Sequence, residues 1–113
     1  MDKYMNLAAR ISSKGNRYRR AYVGAVGIRS DGATVTSYNG CVGYQKPELH
    51  AEARLTKKLD FGAVVYVARI RRDNGSLCLA RPCPDCFLIL KHHKVRRVIY
   101  SISDWCFGTI DFW

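Results

Sequence analysis

His50-Ala51-Glu52, answered further along the chain by Pro82-Cys83-Pro84-Asp85-Cys86, is the stretch on which the reading of this sequence turns. One imidazole and two thiolates make a three-ligand set that suits zinc. They leave a fourth tetrahedral position for water, the arrangement of a catalytic site rather than a closed structural one. Glu52 follows His50 by two residues, a poor spacing for two ligands on one helical face. It reads instead as the proton carrier beside the bound water. Cys83 followed by Pro84 suits a helix start, because proline is favoured at the first helical position. Two cysteines three apart then present their sulfurs on one side of the first turn, where the helix dipole favours thiolates.

Working outward, residues 50–60 read as a helix with Leu55 and Leu59 inward and Arg54, Lys57 and Lys58 outward, ended by Phe61-Gly62. Residues 63–70 are almost continuously apolar, the pattern of a central strand. Arg71-Arg72-Asp73-Asn74-Gly75-Ser76 is then a turn, and with Leu77-Cys78-Leu79-Ala80 it forms either an extra hairpin or a long loop. After the cysteine motif, Phe87, Leu88 and Leu90 are expected to face the sheet. Lys91-His92-His93-Lys94 closes that helix, where cations are favoured. Residues 95–102 and 107–113 read as the last two strands. The connection between them is too short for a parallel crossover, so they should pair antiparallel.

On the N-terminal side, Tyr4, Leu7, Ala8 and Ile11 recur at helical spacing after a candidate N-cap at Asp2. The helix should stop near Ser12-Ser13-Lys14-Gly15. Lys14, Arg17, Arg19 and Arg20, interleaved with Tyr18 and Tyr22, make either a solvated loop or a surface that tracks a nucleic acid backbone and stacks a base. Residues 21–28 and 33–38 form a hairpin across Arg29-Ser30-Asp31-Gly32.

The pattern H-x-E followed by P-C-x-x-C resembles the cytidine and deoxycytidylate deaminase superfamily of zinc-dependent nucleobase deaminases. The resemblance covers most of the chain. It implies an α/β class, three-layer α-β-α fold: a central mixed five-stranded sheet and about three helices. Antiparallel last strands are those of the free-nucleoside enzymes, whereas parallel ones belong to the tRNA-type and polynucleotide enzymes. The implied zinc ligands are His50, Cys83 and Cys86, with Glu52 as the acid–base group that converts cytosine to uracil. Tyr38-Asn39-Gly40 resembles the deoxycytidylate branch, whose Asn contacts the sugar, although Asn39 also suits a turn with positive φ. Ala51, inside the H-A-E motif, is a second substrate-contact candidate. Trp105 is a third, on a connection where the superfamily places a substrate-facing loop; it either stacks on the base or covers the core. Cys78 either competes as a ligand or is a small buried hydrophobe.

The 113 residues, 48% of them hydrophobic, suit one domain spanning 1–113. No apolar run is long enough to span a bilayer and no apolar leader core opens the chain. A soluble, cytoplasmic protein without a membrane partner is therefore expected. Five cysteines form an odd set, which favours thiolate ligands over a disulfide framework. Nineteen Lys and Arg against nine Asp and Glu give a net charge of +10. Such a field favours phosphorylated substrates or polyanions, or else makes a generally basic surface. The substrate is then a cytosine nucleoside or nucleotide, or a single-stranded DNA or RNA, with adenine open as the base. A non-catalytic zinc module is disfavoured by Glu52, which would have no role in it. Superfamily members commonly assemble, which leaves a homo-oligomer open.

Overall fold

The computed structural model describes residues 3–12, 21–38, 51–71 and 74–113. Asp2, the basic stretch from Lys14 to Arg20, Asn39, Cys41, His50 and Arg72 lie outside them.

Strands β1 (Ala21–Ile28) and β2 (Thr34–Tyr38) form the expected hairpin, with Gly32 at φ 91° in its turn. The central strand, β3 (Val64–Arg71), pairs antiparallel with β1 on one side. On the other side it pairs parallel with β5 (Arg97–Ser103). The last strand, β6 (Cys106–Asp111), returns antiparallel along β5, as the short connection requires. The five-strand order is β2-β1-β3-β5-β6. A sixth, two-residue strand, β4 (Leu77–Cys78), folds back on the end of β3, so the excursion before the cysteine motif is a hairpin.

Alternation along β3 divides the molecule into layers. Tyr66, Ala68 and Ile70 face helix α1 (Lys3–Ser12), whose Met5 and Ala8 pack there with Val26 and Leu77. Val65 and Val67 point the other way, into a core shared with Ala25 and Val98 and closed by Ala51 and Leu55 of α2 (Ala51–Thr56) and Leu90 of α3 (Pro84–His92). Full burial of a leucine such as Leu55 or Leu90 contributes roughly 1.5–3 kcal/mol. The result is the three-layer α-β-α arrangement.

Three local readings are corrected. Helix α2 ends at Thr56 rather than continuing to residue 60, and closes through turns from Lys58 N to the Leu55 carbonyl (2.8 Å) and Leu59 N to the Thr56 carbonyl (3.2 Å). Arg54 is half-buried instead of pointing outward: its Nη1 donates to the Tyr38 carbonyl at 2.9 Å and its guanidinium lies 4.8 Å over the Tyr38 ring. Leu88 is exposed rather than facing the sheet. Cys86 and Leu90 take the buried stripe at i and i+4, and the residue midway between them lies on the opposite side of the helix.

Candidate active site

Both ends of α3 are fixed to the sheet. At its C-terminal end, Gly62 N donates to the Lys94 carbonyl and Arg96 N to the Ala63 carbonyl, each at 2.9 Å, beside the start of β3. Ahead of its N-terminal end, Ala80 N donates to the Ser101 carbonyl at 2.8 Å. The buried Ser101 hydroxyl donates to the Cys78 carbonyl (2.7 Å) and accepts from Arg69 N (3.2 Å). The helix thus runs antiparallel to β3 and delivers its first turn to the C-terminal end of that strand. There Cys83 is the N-cap, with φ −65° and ψ 165°, and its Sγ accepts from Cys86 N at 3.5 Å. Pro84 occupies the first helical position, so its missing N–H leaves no bond unmade.

Glu52, in the first turn of α2, is only 6% exposed. Cys86 is fully buried. Burial, the Glu52 charge and hydrogen bonds from its thiol to Cys83 and Glu52 push the Cys86 thiol well above its ordinary range. Two helices therefore bring a buried carboxylate and two sulfurs to one point. A buried thiol beside a carboxylate keeps its proton unless a cation is close, and a bound divalent ion reverses that preference. Soft sulfur donors of this kind suit zinc. The two described sulfurs are of the donor type the expected ion takes, no third donor joins them among the described residues, and none of the four described cysteines is in a disulfide.

The other candidates are distributed unevenly. His50 and Asn39 lie outside the described residues. Ala51 is fully buried among the core residues of α2, so its methyl serves packing. Trp105 is 89% exposed at the turn between β5 and β6 and covers no core. The neighbouring Asp104 accepts from Leu77 N at 2.7 Å, which ties that turn to β4. The Cys78 thiol is directed at the Arg69 carbonyl, 3.6 Å away. His92 and His93 are exposed at the far end of α3 from the cysteines. Ser101 was not singled out from the sequence, yet it aligns the approach to Cys83. Its signal was a lone serine in the run Ile99-Tyr100-Ser101-Ile102.

A mixed sheet between helical layers, with paired cysteines at a helix start beside a buried glutamate, is the fold of a deaminase. It matches a crystal structure of cytidine deaminase from Burkholderia pseudomallei at a TM-score of 0.71 and 14% identity, covering 99% of this chain and 94% of that one. Cytidine deaminase from Mycobacterium leprae gives 0.66 and 21%, covering 96% and 91%. A mutant cytidine deaminase from Mycobacterium tuberculosis gives 0.61 and 21%, covering 88% and 85%. The family model for the cytidine and deoxycytidylate deaminase zinc-binding region matches residues 1–102, and the chain belongs to that family. No curated protein matches it by sequence. Among the described residues, no helix is long and apolar enough to cross a membrane.

Proposed function

We propose that this protein is a zinc-dependent hydrolase that deaminates a cytosine base to uracil in a nucleoside or nucleotide and releases ammonia. The observation that carries the reading is the buried Glu52 carboxylate against Cys86 and Cys83 at the start of α3. In this reading His50, Cys83 and Cys86 hold the metal. Zinc bound there lowers the pKa of water to about 7 and so supplies a nucleophile at neutral pH.

The chain's own groups do the rest. Dipoles at the start of α3 would help hold the two sulfurs as thiolates once a cation is bound there. Glu52, screened from bulk water, takes the proton released when water oxygen adds to the ring carbon and hands it to the ring nitrogen. Glu52 then takes the proton of the newly added hydroxyl and delivers it to the exocyclic amine, the carbon–nitrogen bond breaks, and ammonia leaves as the carbonyl forms. Asn39 is assigned to substrate contact, and so is the main chain of Ala51, whose methyl is given to the core. Ser101 holds the strand ends and the approach to Cys83 in register, which keeps the sulfurs aligned with Glu52.

Zinc-loaded Glu52→Gln protein tests the assignment on cytidine, deoxycytidine and their monophosphates. Turnover should fall by about 10²–10⁴, with zinc content and melting temperature unchanged. Turnover at the parent rate would remove Glu52 from the chemistry. A second reading, deamination within single-stranded DNA or RNA, is favoured by the exposed Trp105 indole, a free stacking platform. Short single strands in the same assay decide between the two.

A further inference from the structure

We infer that Arg69 and Arg81 receive a phosphate group of the substrate, so that the molecule acts on nucleotides in preference to nucleosides. This rests on the deaminase reading above and names its substrate class. Strand alternation puts Arg69 and Arg71 on the same face of β3 as Val65 and Val67. The two valines are fully buried beneath α2 and α3, whereas both arginines are exposed. The helical cover therefore ends between residues 67 and 69, a step of about 6.6 Å along the strand.

What lies at that edge is the start of α3. Arg69 N is bonded to Ser101, whose carbonyl holds Ala80, and the exposed Arg81 comes next, two residues before Cys83. Guanidinium groups from β3 and from the approach to α3 thus flank the end of the sheet where Glu52, Cys83 and Cys86 converge. Two other arginines are matched to acids, Arg97 to Asp111 at 2.6 Å and Arg29 to Asp31 at 3.4 Å, and Arg54 donates to the Tyr38 carbonyl. Among the described residues, no carboxylate pairs with Arg69 or Arg81, and Asp85, exposed in the first turn of α3, pairs with neither. A neutral nucleoside offers such cations hydrogen-bond acceptors but no counter-charge. A phosphate matches the planar guanidinium fork with two parallel hydrogen bonds, and the net +10 charge draws it in. The source favoured is the phosphomonoester of a single nucleotide. A phosphodiester of a strand carries the same chemistry.

The test is equilibrium binding at low salt to zinc-loaded Glu52→Gln protein, with cytidine, cytidine monophosphate and a short oligodeoxycytidylate as probes. The monophosphate should bind at least about tenfold tighter than cytidine, as expected for a charge-assisted contact. The combined Arg69→Gln and Arg81→Gln changes should abolish that difference and leave cytidine binding unaltered. Arg97→Gln, at the other end of β5, should change nothing. An oligonucleotide that outbinds the monophosphate through the same arginines would identify a strand as the source of the phosphate. Equal affinity for cytidine and its monophosphate, or an equal loss for both in the double variant, would overturn the proposal. Turnover by the Glu52-intact protein separates the two readings. Arginine-dependent phosphate binding without turnover would sink the deaminase reading alone, and turnover without phosphate preference would sink this one alone.

Discussion

The two faces of the sheet are covered by helices in different ways. On one face α1 lies almost backbone to backbone on β1: a Cβ at Gly24 would overlap the Ala8 carbonyl oxygen and the Ser12 amide nitrogen. On the other, α2 and the turn after it stand off on leucines, and a Cβ at Gly27 would meet methyl groups of Leu59, Leu55 and Val35. A helix seated on backbone leaves no room for a ligand. The buried glutamate and the buried thiol both lie on the face where the helix is held off by side chains. One face is given to adhesion and the other to chemistry, and each can be perturbed separately.

The largest effect is expected from Cys86→Ser. A hydroxyl is a far poorer zinc donor than a thiolate and stays protonated at neutral pH. Zinc retained after dialysis, measured per chain, should fall by an order of magnitude or more, and deamination should vanish with it. The α1 layer does not involve this residue, so far-ultraviolet circular dichroism should keep its native form. The half-buried Cys78, turned toward the Arg69 carbonyl, serves as control: Cys78→Ser should retain both zinc and activity. Collapse of the Cys86→Ser fold would show that the metal face also holds the domain together, which would break the comparison.

Gly24→Val attacks the opposite face. The atoms in its way are backbone, so the helix itself has to move rather than a side-chain tip. Overpacking typically costs about 1–3 kcal/mol, and the upper end is expected here. In a domain of this size that lowers the melting temperature by on the order of 10–20 °C. The fraction that remains folded should bind zinc and turn over normally. The matching change at Gly27 meets only leucine and valine methyls, which can rotate aside, and should cost less.

What was legible from the sequence follows the same division. The order of H-A-E and P-C-P-D-C, the Pro84 helix start and the short last connection were all readable, because local geometry and metal-ligand chemistry fix them within a few residues. The close seat at Gly24 was not, since glycine in a strand looks alike whether it faces solvent, methyl groups or a helix backbone. Arg54 looked like a surface cation because charge and spacing say nothing of the Tyr38 ring and carbonyl waiting beneath it. Arg69 and Arg71 ended an apolar run without indicating a face. Their orientation became readable only once the register of β3 against β1 was known.

The smallest effect tests whether α3 can be stabilised without disturbing the cysteines at its other end. The helix closes in a Schellman motif: Val95 N donates to the Leu90 carbonyl at 3.2 Å and Lys94 N to the Lys91 carbonyl at 3.1 Å. That motif puts Lys94 at φ 60°, in the left-handed region. A side chain there costs roughly 1–2 kcal/mol. Glycine removes that cost but gives back about 0.5–1 kcal/mol in chain entropy, and the cation favoured at a helix C-terminus is lost as well, about 0.3 kcal/mol for an exposed site. Lys94→Gly should therefore gain about 0.5 kcal/mol, a rise of about 2–4 °C in melting temperature. Zinc content and kcat/KM should stay at parent values, because the change lies more than two turns from Cys86 and touches only the end of α3 anchored beside the start of β3. If turnover changed while stability rose, the two ends of α3 would be coupled, and the chemical face would depend on how tightly its helix is closed.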